Sequence, residues 1–115
     1  MLHGTESKTR VAVVEDDLDM GNMLRARLER ENFLVELVPD PEKVEQLVEE
    51  WGAHIILMDI NLPGRSGVEL GRKLKEARRW RQIIYMTGYA DSEAAIDAFE
   101  SGGEALLLKP FRDLG

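Results

Sequence analysis

Four short apolar runs divide this chain, and each run is followed directly by polar residues. The runs occupy residues 11–14, 55–58, 83–86 and 105–108, and the residues that follow them are Glu15-Asp16-Asp17, Asp59, Thr87 and Lys109. If these runs are parallel strands of one sheet, the polar residues meet at its carboxyl edge, where open α/β sheets place their ligand sites. Carboxylates for a divalent cation, one carboxylate to react, a hydroxyl and a lysine together favour phosphoryl-transfer chemistry.

The sequence between the runs alternates between helical and extended patterns. Helical spacing of apolar residues predicts amphipathic helices over residues 18–31, 41–51, 66–77 and 91–99. Asp17 or a neighbour is the expected cap of the first helix and Ser66 that of the third. The apolar face predicted for the first helix consists of Leu18, Met20, Met23, Leu24 and Leu28. Residues 33–38 alternate as an edge strand does, so the order βαβαβαβαβ predicts an α/β fold with a parallel sheet.

Composition limits the class of protein. The 115 residues carry one dense pattern, so we expect a single domain at residues 10–115 after a flexible tail at residues 1–9. The net charge of −7 argues against direct nucleic-acid binding by this domain, and the absence of cysteine excludes thiol chemistry. No apolar stretch approaches the roughly 20 residues that span a bilayer, and the tail lacks the core of a signal peptide. We therefore predict no membrane association and a cytoplasmic location.

Residues 10–112 resemble the receiver (phosphoacceptor) domains of two-component response regulators. The resemblance rests on five motifs in the family's order, which are Glu15-Asp16-Asp17, Asp59, the loop of residues 61–67, Thr87-Gly88 and Lys109-Pro110-Phe111. It implies a flavodoxin-like three-layer sandwich with a five-stranded parallel sheet of strand order 2-1-3-4-5. The first and third strands are then neighbours, which brings Glu15, Asp16 and Asp59 together.

These acidic residues predict a metal site. Clustered carboxylates repel one another unless a cation lies among them, and oxygen ligands favour Mg²⁺ or Mn²⁺ over a softer metal. Asp16 and Asp59 are the expected direct ligands, with Glu15 acting through water. The resemblance adds the backbone carbonyl of Asn61 as a further ligand.

Asp59 is the predicted phosphoacceptor, which attacks phosphorus and becomes an acyl phosphate. Lys109 is expected to pair with one phosphoryl oxygen and the Thr87 hydroxyl to bond another. The resemblance implies that a sensor histidine kinase or a phosphotransfer protein supplies the phosphoryl group, and that phosphorylation switches output or partner binding. The domain then catalyses only its own phosphorylation and dephosphorylation and is not otherwise an enzyme.

Four further positions are expected to modulate the site. Gly88 leaves the approach to the phosphoryl group open, and Tyr89 is large enough to shield the acyl phosphate from water. The resemblance implies that Pro110 follows a cis peptide bond that aims Lys109 inward. Leu106 stands where the family has an aromatic switch residue, so we expect coupling at or below the usual range of about 1–3 kcal/mol.

The end of the sequence carries a separate expectation. Receiver domains finish with a fifth helix, and this sequence ends at Gly115 before one could form. Apolar surface on the first, third and fifth strands would then be bare. Because large exposed apolar patches promote association, we expect a homodimer, a swapped oligomer or lowered stability.

Three other functions fit parts of this pattern. A phosphatase of the haloacid dehalogenase type also has a nucleophilic Asp after a strand, but it needs a second Asp where this chain has Asn61. A flavin or dinucleotide module needs a Gly- or hydroxyl-rich loop, whereas Glu15-Asp16-Asp17 repels phosphate unless a metal intervenes. The main alternative is a receiver-like protein-interaction module that is not phosphorylated, which Leu106 and the short C-terminus favour.

Overall fold

The computed structural model describes residues 8–88, 93, 100 and 102–109, with a five-stranded parallel sheet at its centre. The strands are β1 (Arg10–Val14), β2 (Leu34–Val38), β3 (Ile55–Asp59), β4 (Gln82–Thr87) and β5 (Ala105–Leu108). Their order across the sheet is β2-β1-β3-β4-β5, which confirms the predicted order 2-1-3-4-5. The two central strands β1 and β3 are continuous apolar runs because the sheet is covered on both faces.

Three helices of the described chain connect the strands. They are α1 (Leu18–Arg30), α2 (Val44–Trp51) and α3 (Gly67–Ala77). Both predicted caps are confirmed, since the Asp17 carboxylate accepts the backbone N–H groups of two residues in α1, and the Ser66 hydroxyl accepts that of Glu69 in α3. The helix predicted from residue 41 starts later, because Pro41–Lys43 forms a single 3-10 turn before α2.

The helices divide between the two faces of the sheet, which gives the expected three layers. On one face, side chains of α2 and α3 such as Val48 and Leu74 pack with Ile56 and Met58 of β3. On the other face, Leu24 of α1 packs against the other side of the same sheet. The strands that carry the polar residues at the carboxyl edge are therefore held rigidly by two separate apolar clusters.

Two local predictions need correction. The apolar face of α1 is narrower than predicted, because Leu18 and Met23 are exposed and only Met20, Leu24 and Leu28, spaced four residues apart, pack on the sheet. Residues 61–67 are also more ordered than a simple loop. Asn61–Leu62 and Arg65–Ser66 pair as a short antiparallel hairpin, which fixes the chain between β3 and α3.

The expected bare apolar surface is largely absent from the described residues. Val11 and Val13 of β1 and Leu57 of β3 are buried. Among the β5 side chains that the structure describes, Leu107 leaves 37% of its surface exposed. The expectations for residues 1–7, for the helix at 91–99 and for the chain end beyond Lys109 fall outside the residues described. Within the described chain, none of the helices combines the length and the apolar character that a membrane crossing requires.

Candidate functional site

The carboxyl edge of the sheet brings together three acidic side chains. Val14 of β1 and Met58 of β3 are in register as parallel neighbours, so the residues that follow them, Glu15 and Asp59, leave the sheet side by side. Asp16 joins them, and one carboxylate oxygen from each of the three residues lies within 4.8 Å of the others. Glu15 and Asp59 are 3% and 2% exposed, whereas Asp16 faces solvent. The predicted acidic cluster is therefore present.

Lys109 is the cation of this cluster. It follows β5, and its backbone N–H donates to the carbonyl of Thr87 on β4 over 2.7 Å. Its side chain reaches across β4, which separates β5 from β3. There the Nζ atom lies 2.7 Å from Oε1 of Glu15 and 3.2 Å from Oδ2 of Asp59. One ammonium group thus pairs with the two buried carboxyl groups of the cluster.

Asp59 is held at both of its side-chain oxygens. Its Oδ1 atom accepts the backbone N–H of Asn61 at 2.9 Å, while Oδ2 faces Lys109. The next peptide is fixed as well, because the Ile60 N–H donates to the carbonyl of Met86 in β4. These contacts orient the carboxylate before any ligand arrives, which is what a reacting group requires.

Gly67 is a positioning residue that sequence reasoning did not single out. A Cβ atom built on it would lie 2.0 Å from the backbone carbonyl oxygen of Asp59, so α3 begins in direct contact with the main chain of the carboxylate. The Gly67 N–H also donates to the carbonyl of Ile60 at 3.2 Å. The glycine was visible in the loop motif, but its partner is set by how α3 packs, which the pattern does not contain.

Asp17 lies beside the cluster but serves the helix. Its side chain caps α1, and its backbone N–H lies 3.3 Å from Oε2 of Glu15, to which it donates. It does not belong to the group of carboxylates that lie within reach of a common ion. The acidic triplet therefore divides into two residues of the cluster and one cap.

In the metal-free cluster, acidic groups outnumber basic ones, and the pKa values of Glu15 and Lys109 are shifted as a result of burial and of this excess. Burial of the carboxyl group raises the pKa of Glu15 to about 7, and a hydrogen bond with Asp59 and the nearby charge of Asp59 act in the same direction against the opposing effect of Lys109. Burial alone would lower the pKa of Lys109, but its hydrogen bond to Glu15 and the charges of Asp59 and Glu15 outweigh burial and raise it. The cluster thus retains protons that isolated carboxyl groups would release.

The cluster has the chemistry of a site for a hard divalent cation. Glu15 Oε1 is buried and has no hydrogen bond of regular geometry among the described residues, although Lys109 lies at ion-pair distance. A cation among the three carboxylates would satisfy this oxygen and offset both the burial of the Glu15 carboxylate and its repulsion from Asp59, which together raise the pKa of Glu15. All three donors are carboxylate oxygens, which suit Mg²⁺.

The structure describes some of the other predicted site residues and leaves others outside the description. Thr87 is buried at the end of β4, and Gly88 is exposed with open space around its Cα atom. Asn61 supplies its N–H to Asp59, and its carbonyl as a metal ligand stays a prediction. The backbone of Leu106 pairs with Tyr85 in the sheet, but its side chain lies outside the description, as do Tyr89 and Pro110.

A parallel sheet of order 2-1-3-4-5 with acidic residues and a lysine at its carboxyl edge defines a class of signalling domain. The sequence profile of the response regulator receiver domain matches residues 11–114. The chain therefore belongs to the receiver domain family of two-component response regulators, as the sequence motifs predicted.

Individual relatives agree with this assignment. The aerobic respiration control protein ArcA of Escherichia coli K12 is 32% identical over 88% of this chain, but the match spans only 42% of ArcA. Thus the chain covers less than half of this relative's length. Among solved structures, the CheY-like receiver domain protein of Methanospirillum hungatei JF-1 superposes with a TM-score of 0.86 at 29% identity, covering 92% of this chain and 85% of that one.

A third relative carries a modification. A response regulator from Burkholderia pseudomallei, solved with a phosphorylated aspartic acid, a calcium ion and citrate, is 25% identical to this chain. Its TM-score is 0.83, and the match covers 91% of this chain and 62% of that protein.

Proposed function

We propose that this receiver domain accepts a phosphoryl group on Asp59 in a reaction that depends on Mg²⁺. The observation that carries the proposal is the environment of Asp59, a buried carboxylate fixed through Oδ1 by the Asn61 N–H and faced through Oδ2 by Lys109. A buried carboxylate held in one orientation is prepared to attack. The Burkholderia relative, which has both a phosphorylated aspartic acid and a divalent cation, supports the same chemistry.

In the proposed reaction, a carboxylate oxygen of Asp59 forms a bond to phosphorus while the bond from phosphorus to the donor breaks. The electron pair of the broken bond leaves with the donor, which takes up a proton if it is an imidazole. Lys109 then pairs with a phosphoryl oxygen instead of Asp59, because formation of the acyl phosphate removes the charge of the Asp59 carboxylate. The Thr87 hydroxyl donates to a second phosphoryl oxygen.

Asp16 and Asp59 would hold the cation directly and Glu15 through water, with the Asn61 carbonyl as a further proposed protein ligand. When bound, Mg²⁺ would supply positive charge that offsets the carboxylates and the incoming phosphoryl oxygens. Without that charge, a doubly negative phosphoryl group would approach three acidic side chains and a single lysine. The excess of acidic groups therefore makes the reaction dependent on the cation.

We infer that the donor is a sensor histidine kinase or a phosphotransfer protein, since the chain belongs to a two-component family. The proposal includes a cytoplasmic location, where such a donor would meet it. Gly88 and Tyr89 are proposed to control access to the acyl phosphate. Leu106, in place of the family's aromatic residue, is proposed to weaken the coupling between phosphorylation and partner binding.

The experiment is intact-mass measurement after incubation with acetyl phosphate, with Mg²⁺ or with a chelator. We expect the mass to increase by one phosphoryl group with acetyl phosphate and Mg²⁺ and not with acetyl phosphate and chelator. We expect no increase in Asp59→Asn under either condition. Glu36→Gln is the matched control, since it removes an exposed carboxylate on β2 and should leave the gain unchanged.

The alternative outcome has a clear meaning. If the folded protein binds Mg²⁺ but gains no mass from acetyl phosphate or from a phosphorylated donor domain, the proposal is wrong. The domain would then be the receiver-like interaction module that is not phosphorylated. A gain that survives in Asp59→Asn would instead move the phosphoacceptor to another residue.

A further inference from the structure

The amino edge of the sheet carries an aromatic and basic surface that the proposed phosphorylation does not use. The loop between α3 and β4 has the sequence Arg78-Arg79-Trp80-Arg81, and Trp80 at its centre is 56% exposed. His54, which precedes β3, lies against it. This edge is opposite to Asp59, at a separation of roughly 15 Å along a five-residue strand.

Trp80 is exposed but held in place. Its ring lies 5.4 Å from the guanidinium carbon of Arg81, within the range of a cation–π contact, and its centroid is 6.0 Å from that of the His54 ring. Arg81 is in turn fully buried, and His54 is fixed because its Nδ1 accepts the backbone N–H of Arg10. An exposed indole on such a rigid support loses little conformational entropy on binding, which is a property of interface hot spots.

The surface presents hydrogen-bond donors. Glu49 pairs with both Arg78 and Arg81, so its carboxylate is already occupied. Arg79 is exposed and makes no ion pair or hydrogen bond with the described residues, and the indole N–H of Trp80 likewise has no acceptor there. A partner that covers Trp80 must therefore bring acceptors for these groups, and carboxylates are the strongest available.

The charge distribution favours a short acidic segment over a long polyanion. The whole chain has a net charge of −7, while three arginines fall within the four residues of this loop. Screening at physiological salt limits interactions to about 8 Å, so a short segment meets only the basic loop. A nucleic-acid duplex would extend over the acidic remainder of the domain and be repelled by it.

We propose that Trp80 and Arg79, supported by His54 and Arg81, form a docking surface for an acidic segment of a partner protein. The surface is separate from the carboxylate cluster and stays accessible whether or not Asp59 is phosphorylated. An apolar side chain of the partner covers the Trp80 indole, and flanking carboxylates accept from Arg79 and the indole N–H.

The test follows the Trp80 indole N–H signal by NMR in the intact domain. The probe is an acidic peptide of about ten residues, made of Asp and Glu around a central Leu, at physiological salt. We expect a saturable shift of this signal in the wild type and in Arg79→Glu, with a loss of affinity of at least about tenfold in Arg79→Glu. Because Trp80→Ala has no such signal, its affinity is measured by isothermal titration calorimetry beside the wild type, and we expect a loss of the same size. The matched control is Lys43→Glu, an equal charge change at an exposed site on the opposite edge, which should change affinity less than about twofold.

Several results would overturn the proposal. One is an indole signal that does not shift when peptide is added to the folded protein. Another is a loss of affinity in Lys43→Glu as large as that in Arg79→Glu. Tighter binding of a DNA duplex than of the peptide would assign the surface to nucleic acid instead. A shift produced by raising the protein concentration without peptide would assign it to a second copy of this chain. Arg81 is left unchanged because its burial makes it a structural residue.

Discussion

The two edges of the sheet differ in how far their acidic groups are paired with basic ones. At the carboxyl edge, three carboxyl groups lie together beside one lysine, which pairs with Glu15 and Asp59, and a buried oxygen of Glu15 lacks a regular hydrogen bond. At the amino edge, the acidic groups Glu49 and Glu104 each have basic partners, and the exposed Arg79 adds positive charge. Glu49 bridges Arg78 and Arg81 with distances of 2.5 Å, and Glu104 pairs with Lys75 at 2.6 Å.

This difference indicates that the ion pairs of the amino edge stabilise the fold, whereas the acidic cluster of the carboxyl edge serves ligand binding. The amino-edge ion pairs join elements that are distant in sequence, since Glu49 lies on α2, Arg81 precedes β4 and Glu104 precedes β5. The carboxyl edge retains repulsion that a cation would relieve, so the metal-free domain is less stable there than it could be. We expect substitution of the ion-paired residues at the amino edge to cost stability, and removal of acidic charge at the carboxyl edge to increase stability.

The largest expected effect is at Arg81. Its side chain is fully buried, donates to the carbonyl of Leu74 at 3.2 Å and pairs with Glu49. Arg81→Ala leaves a cavity and removes these bonds, so we expect the free energy of unfolding in urea to fall by about 4 kcal/mol. Arg79→Ala, two residues earlier and exposed, should change it by no more than about 0.5 kcal/mol. If the free energy of unfolding fell by similar amounts in both variants, the burial of Arg81 would not contribute to stability.

The second prediction concerns Glu15 in metal-free protein. Its pKa of about 7 in the folded domain lies above the ordinary value of 4.5, so the folded state holds a proton that the unfolded chain releases between these pH values. Stability therefore falls as pH rises from about 4.5 to 7. Glu15→Gln cannot titrate, and we expect it to exceed wild type by about 3 kcal/mol above pH 7 and to match it below pH 4.5.

Urea unfolding in the presence of a chelator, across this pH range, measures the difference. The control is Glu36→Gln, an exposed carboxylate on β2, for which the difference from wild type should stay nearly constant. A constant difference for Glu15→Gln would mean that Lys109 fully neutralises the buried carboxylate. The contrast between the edges would then disappear.

The third prediction tests the contact between α3 and Asp59. Gly67→Ala places a Cβ atom against the Asp59 carbonyl, a backbone atom that cannot move alone, so we expect a loss of about 2 kcal/mol and weaker Mg²⁺ binding. Gly21→Ala on α1 is the matched control. Its Cβ atom would meet only the Leu37 side chain, at 3.5 Å, and alanine favours the helix, so stability should stay equal or rise by up to about 1 kcal/mol.

Most of the carboxyl edge could be predicted from the sequence because parallel topology converts a linear pattern into proximity. Once β1 and β3 are neighbours, Glu15 and Asp59 must lie together, whatever the details of packing. The sequence also predicted Asp16 as a residue of the acidic cluster and Asp17 or a neighbour as the cap of α1, and the structure confirms both placements. Both follow the same strand, and the geometry of the α1 cap distinguishes them.

The amino edge was largely unpredictable. The sequence of residues 72–81 is rich in Arg and Lys, which is typical of the solvated face of a helix and its exit. In the structure, however, Arg81 is among the most deeply buried side chains of the described chain. Its partner Glu49 is 32 positions away on α2, and no local pattern links the two. Ion pairs between distant elements depend on how helices pack. The site depends instead on strand order, which the resemblance to receiver domains implied.

The smallest expected effect is at Glu104, whose titration should oppose that of Glu15. Burial alone would raise the pKa of this carboxyl group, but hydrogen bonds from Lys75 and from the Ile83 N–H outweigh burial and hold the pKa below its usual range. A carboxyl group with a lowered folded-state pKa stabilises the fold above its unfolded pKa and loses that contribution as pH falls.

We therefore expect Glu104→Gln to lower the free energy of unfolding by about 1 kcal/mol at neutral pH and by less in acid. The control is Glu76→Gln on α3, an exposed carboxylate, which should have little effect at either pH. Measured together, the Glu15 and Glu104 variants should diverge from wild type in opposite directions as pH rises. If the two variants instead changed in the same direction relative to wild type, the proposed contrast between the edges would be wrong. Opposite signs of the stability change are expected only when acidic groups are in excess at one edge and paired at the other.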